Sequence, residues 1–464
     1  MLSARLSQHV ATTQFGSLPA STVHACCRAL LDGLGVMLAA SGSSAEVAPF
    51  VQLALAGEAS PGEAAPAGTA AVFGTPRRGV SAALAAFANG AMAHALDYED
   101  AYDAAPVHPN ASLLPAVIAL AQARAPVSGR ELVTAIAVGC DLVCRLASCL
   151  RRPMEDGGWY PPPILGAFGA AAGAARLLRL TPDQVCDTWS LMLCQTSCPG
   201  EIKYSPDSVL RAVREAFPAQ AAVVSALLAE AGIKGFSAPL EGKAGFFRLY
   251  AADDYDPQIL LQDLGTHYFI EDLSFKRWPC CRGIHAYIEI VQRLRATHGF
   301  TARDVARVRL DVGTVQQMLI EPLAAKLRPA TGIDAKFSLP FCVAVALVDA
   351  DVTLDSFAAA RRGDPGLLAV AARIDFQRRD DWGRDRAAAG QLEIVLHDGR
   401  RFEGAVDQAL GHPGRPIDDA GLIAKFVDCA GRAATPLSPD TAAALAARIL
   451  SLPDLADAGA ALRT

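Results

Sequence analysis

No C-x-x-C pair occurs among the twelve cysteines of this 464-residue chain, which removes the usual zinc-ribbon and thioredoxin-type spacings. Positive charge is also short: 42 Lys and Arg face 48 Asp and Glu, a formal charge of −6. That balance offers no basic face for nucleic acid and no polybasic membrane anchor. Aromatics make up only 6% of the chain against 52% hydrophobic residues, so Ala, Leu and Val dominate and closely packed helices are favoured over disorder. The N-terminus has no apolar signal core, and the run "ILGAFGAAAGAA" at 164–175 falls short of the ~20 residues a membrane span needs. Unpaired thiols imply a reducing compartment. The expectation is a soluble cytoplasmic protein that acts on a small molecule, with no nucleic acid and no membrane as partner.

Helical periodicity fills the first half. "STVHACCRALLDGLGVMLAA" has Ser21 or Thr22 as its cap, and further helices are expected at about 80–96, 111–124, 129–150 and 164–179. Between the first two lie a Gly/Pro/Ala-rich loop at 57–69 and a strand-like "AAVFG". Gly166, Gly169 and Gly173 predict close helix contact, not a phosphate loop, since no strand precedes them and no lysine follows. Cys140 with Cys144, and Cys194 with Cys198, are four apart and read as small fillers on one helix face. Thr181 and Pro182 open another helix, and "PDSVLRAVREAFPAQAAVVSALLAEAG" predicts a further long one. Near residue 270 the pattern changes. "VARVRLDVG" (305–313) and "QLEIVLHDGRRFEGAVD" (391–407) alternate like strands, the second around an "HDGR" turn. A helix, "KFSLPFCVAVALVD", lies between them, and the chain ends in helices. The predicted fold is mainly α: an all-helical domain over 1–268, a smaller α+β lid domain over 269–404, and a segment, 405–464, that returns to the helical domain.

One break between apolar helices stands out. "AMAHALDYEDAYDAAPVHPNAS" (91–112) puts Asp97, Glu99, Asp100 and Asp103 within seven residues and adds His108-Pro109. Glu99, Asp100 and Asp103 read as solvated loop charges, and His94 as a helix-packing residue. His108 is the favoured proton-transfer residue, and a carboxylate near an imidazole fixes its orientation. His94, Asp97 and His108 could also imitate a metal site; no further ligand cluster accompanies them.

Together with "GGWYPPPILGAFGAAAGAARLL", "LSFKRWPCCRGIHAYIEIV" and "AKFSLPFCVAVAL", this stretch resembles the MmgE/PrpD family in order and spacing, over nearly the whole chain. That family includes 2-methylcitrate dehydratases, cis-aconitate decarboxylases and iminodisuccinate epimerases. The resemblance implies a homodimer of helical and lid domains, a site between the domains, and no metal or organic cofactor. It implies a carbanion beside a carboxylate or carbonyl as the shared intermediate, so cations must hold substrate carboxylates and acid–base groups must move a proton. Asp97, His108, Tyr160 and His285 are the expected catalytic residues. Lys203, Lys276, Arg282 and Cys281 are expected to bind substrate, Arg277 could help clamp a carboxylate, and Lys336 is a weaker candidate for the same cationic side that a surface lysine before a helix explains well enough.

Three departures bear on the substrate. Tyr160 and Cys281 stand where the decarboxylase branch has histidines, and Phe341 stands where "KFSLPY" commonly has tyrosine. Their loss argues against cis-aconitate. A cofactor-free hydro-lyase acting on a 2-methylcitrate-like di- or tricarboxylate is the first reading, and an epimerase on an iminodisuccinate-like substrate the alternative. A metal-dependent hydrolase and a non-catalytic carboxylate-binding protein stand behind them.

Overall fold

The computed structural model describes residues 1–56, 68–75, 79–205 and 208–463. The loop expected at 57–69, and Pro206 and Asp207 at the start of an expected helix, lie largely outside them. The chain divides into two compact units. The larger holds Met1–Ala95, Ala105–Leu273 and Asp418–Thr464; the smaller holds Leu96–Ala104 and Ser274–Ile417.

The larger unit is built on α1 (Ala20–Ser43), α2 (Ala82–Ala95), α3 (Pro109–Ala123), α4 (Gly129–Cys149), α5 (Pro161–Leu177) and α6 (Ala216–Glu230). Ser128 starts α4 by a reciprocal capping box with Glu131, and Thr181 does the same with Gln184 for the helix Pro182–Leu193. α4 and α5 approach with backbone nearly touching: a Cβ on Gly169 would lie 2.5 Å from the Gly139 carbonyl oxygen. The close helix contact expected of Gly169 is therefore present. Inside this unit Arg145 donates to Asp141 at 2.6 Å and to the carbonyl of Gln262, which ties the loop before residue 268 to α4. The C-terminal helix Asp419–Gly431 packs on α1, where Lys425 meets buried Asp32 at 2.7 Å.

Two sequence expectations fail here. The long helix expected from 206 to 232 is interrupted, because Leu210–Val213 forms a short helix and Arg214 and Glu215 turn before α6 begins. Pro218 has no N–H to give the Arg214 carbonyl, which favours that break. The helix Pro182–Leu193 stops before Cys194, so Cys194 and Cys198 share no helix face; Cys140 and Cys144, in α4, are both buried.

The smaller unit carries a four-stranded sheet. Its strands are β1 (Val305–Val312), β2 (Ile374–Arg378), β3 (Gly390–Leu396) and β4 (Arg401–Val406), in the order β2-β1-β3-β4. β1 and β2 run parallel; β3 is antiparallel to both β1 and β4. The expected turn closes the β3–β4 hairpin, with Gly399 at φ +88°. β2 was not foreseen. α7 (His285–His298) packs on the hairpin, and α8 (Leu339–Asp349) packs on α7. The acidic segment Leu96–Ala104 belongs to this unit and is stitched to it by paired Ala101 and Ser274 backbone bonds of 2.9 and 2.8 Å.

By length and composition, α1, α4 and the Leu210–Glu230 segment could each cross a membrane. Between 67% and 89% of each apolar window is buried inside the protein, so neighbouring helices already cover most of that surface.

Candidate active site

Within the smaller unit, the acidic segment begins with a buried ion pair. Asp97 sits at φ +47°, a left-handed conformation that aspartate tolerates better than most residues. Its backbone carbonyl and its Oδ1 both accept from Lys276 Nζ, at 2.9 and 2.6 Å, and neither side chain is exposed. Burial alone would lower the Lys276 pKa, but the charges of Asp97 and then Glu99 outweigh it and raise the pKa, so the group stays an ammonium.

Glu99 and Asp100 are buried, each 2% exposed, which overturns their reading as solvated charges. Asp103 accepts from Arg282 Nε at 3.2 and 3.1 Å and from Ser274 Oγ at 2.7 Å. The rest of the Arg282 fork reaches the carbonyls of Leu410 and Ala409 at 3.0 and 3.1 Å. The guanidinium expected to clamp a substrate therefore binds the acidic segment to residues 409–410. His285 is fully buried, with Nδ1 3.4 Å from Arg282 and Nε2 3.2 Å from the Cys280 carbonyl. A carbonyl accepts only, so the ring presents Nε2–H to it and Nδ1 faces the arginine as acceptor. Arg277 pairs at the surface with Asp351.

Lys336 also departs from its expected place. It is buried, not a surface lysine. Its Nζ donates to the Pro279 carbonyl at 3.1 Å and lies 4.1 Å from the centre of the Phe357 ring. Its own carbonyl accepts from the Cys281 N–H at 3.0 Å. Burial, only partly opposed by Asp97, lowers its pKa to about 8. The Cys281 side chain is half-buried, and Phe341 is fully buried, 6.2 Å from Phe357. The only sequence hint for Lys336 was its place just before a capped apolar helix.

The larger unit holds the other expected residues. Tyr160 caps α5 and is buried, and three cations face its ring: Arg214 at 5.0 Å, Lys203 at 5.2 Å and Arg211 at 5.8 Å. Of these three cations only Lys203 was expected from the sequence. Lys203 also lies 3.6 Å from Glu155. Arg214 is buried beside Glu215, Nε to Oε1 3.0 Å, and Glu215 accepts from Ser112 on α3. His108 is the N-cap residue of α3, and its ring centre lies 5.0 Å from that of His94. A cavity of about 260 Å³ in this unit is lined by Arg214, Ser197, Cys198, Glu201 and Phe217 among others; His108, Tyr160 and Lys203 do not line it.

Each unit thus sets buried positive charge next to acid–base groups, Lys276 and Lys336 in the smaller and Arg214 in the larger. Such sites hold anions and stabilise negative charge that develops beside them.

Comparison with known proteins places the whole chain in one family. The model of the MmgE/PrpD N-terminal domain matches residues 4–258, and that of the MmgE/PrpD C-terminal domain matches 278–448. Cis-aconitate decarboxylase of Homo sapiens is 25% identical over 83% of this chain and 80% of its own length. The cis-aconitate decarboxylase-like protein oryM of Aspergillus oryzae is 25% identical over 92% of this chain and 89% of its own length. Cis-aconitate decarboxylase of Aspergillus terreus is 23% identical over 79% and 78%.

Proposed function

Since the chain belongs to the MmgE/PrpD family, we propose that it is a cofactor-free lyase acting on a small polycarboxylate through a carbanion beside a carboxylate. The finer reading is dehydration of a hydroxylated di- or tricarboxylate of the 2-methylcitrate kind. The observation that carries it is the buried Lys276–Asp97 pair. A carbanion next to a carboxylate moves its charge onto the carboxylate oxygens, and an ammonium fixed in a low-dielectric site stabilises that charge at no reorganisation cost. A base takes the proton from the carbon, the freed electron pair forms the double bond, and hydroxide leaves with a proton as water. His108 is the base in this scheme. Tyr160 is the acid, since a phenol donates more readily than it accepts near neutral pH.

A second reading rests on the relatives, which are named cis-aconitate decarboxylases. Loss of CO₂ from an unsaturated tricarboxylate leaves the same kind of carbanion, which then takes up a proton. The test is to offer 2-methylcitrate and cis-aconitate separately, with and without chelator. Ultraviolet absorbance reports the new double bond, and trapped CO₂ reports decarboxylation. Dehydration of the first substrate with no CO₂ from the second supports the finer reading; CO₂ from the second replaces it; turnover of neither substrate defeats both.

A further inference from the structure

Lys336 has no part in the scheme above, yet its contacts bracket the segment that carries Lys276. Its Nζ holds the Pro279 carbonyl and its own carbonyl holds the Cys281 N–H, so both ends of residues 279–281 are tied to one lysine. A buried lysine normally needs a carboxylate partner. This one has a single carbonyl and an aromatic face, while the nearby carboxylate, Asp97, bonds to Lys276.

We propose that Lys336 is a positioning residue for the site: it fixes the backbone behind Lys276, and its charge supplies positive potential that an anionic substrate neutralises. This rests on the polycarboxylate reading above. The charged and titratable groups facing Lys336 are Asp97, Lys276, Cys280 and Cys342. The elements packed on its helix carry further charges. Asp349 and Arg361 pair with each other, Arg362 donates to the carbonyls of Phe357 and Ala330, and Asp355 is exposed. Lys276 is held above its ordinary pKa and Cys280 well above its own, so neither loses a proton where Lys336 does. With its pKa near 8, Lys336 carries its charge at pH 7.5 and has lost almost all of it at pH 9.5. The affinity for an anion falls with it.

The experiment is calorimetric titration of the full chain with citrate at pH 7.5 and 9.5. Wild type is expected to bind roughly twentyfold more weakly at the higher pH, following the protonated fraction of one lysine. Lys336→Met is expected to bind at both pH values as wild type does at pH 9.5, and Lys336→Arg to bind tightly at both. Circular dichroism shows whether each variant is folded, and either folded variant decides the matter alone. Wild-type pH dependence persisting in Lys336→Met or Lys336→Arg overturns the role of Lys336 and leaves the polycarboxylate reading intact. Wild type failing to bind citrate at either pH overturns that reading, and this proposal with it.

Discussion

Lys276 Nζ lies 2.6 Å from Asp97 Oδ1, with both side chains sealed from solvent and their positions 179 apart in the chain. Removing one partner takes the nearest opposite charge from the other. Asp97→Asn is expected to lose about 3–5 kcal/mol of stability, and so is Lys276→Met. The double variant, Lys276→Met with Asp97→Leu, should lose less than the sum of the single losses, because the two opposite charges are removed together. Urea unfolding of the four proteins checks this; additive losses in the double variant would rule out the coupling.

Arg282 acts here as a strap between Asp103 and the carbonyls at 409–410. Arg282→Ala is therefore expected to destabilise the protein by about 3 kcal/mol and to loosen the segment Leu96–Ala104. Hydrogen exchange at the Ala101 and Ser274 amides, which bond to each other's carbonyls, should quicken more than exchange in α4. Unchanged protection at those two amides would contradict the assignment.

The helices of the larger unit and the β3–β4 hairpin were legible, because apolar spacing, capping residues and an Asp-Gly turn are local signals. What the sequence hid is long-range. Nothing local marks Glu99 and Asp100 as buried, or sends residues 96–104 to pair with 274 in the smaller unit. β2, "IDFQR", alternates over only four residues, too few to mark a strand locally, and it is held by a parallel pairing with β1 some 66 positions earlier. Lys336 looked like a surface residue because its partners, a carbonyl at 279 and a ring at 357, leave no mark near it in sequence. Arg211 and Arg214 fall in a stretch expected to be one continuous helix; the helix breaks at 214–215, and both guanidiniums face the Tyr160 ring.

The amine of Lys336 sets a pH dependence of stability whose sign follows from its lowered pKa. The folded value, about 8, lies below the ordinary 10.5, so between them the unfolded chain holds the extra proton and stability rises with pH. Below pH 8 the cost of the buried ammonium is present in full. The stability of Lys336→Met relative to wild type should therefore fall by about 3 kcal/mol between pH 8 and 10.5. Guanidinium unfolding at several pH values measures the difference, and a flat difference would show that the amine is not perturbed.

Tyr160 tests the acid role separately from packing. Tyr160→Phe keeps the ring that the three cations face, so the melting temperature should barely move. If the phenol gives the leaving group its proton, kcat should drop about 10²–10⁴-fold. Unchanged kcat in a folded Tyr160→Phe variant would remove Tyr160 from the chemistry.

The most direct measurement is turnover of 2-methylcitrate and cis-aconitate, followed by proton NMR in deuterium oxide, for wild type and Lys276→Met under conditions where both are folded. The account predicts that wild type converts one of the two with loss of water or CO₂, and that Lys276→Met is slower by about 10³-fold, the scale of losing a charge aimed at a transition state. Equal rates in the two proteins, or no conversion of either acid by wild type, would contradict it.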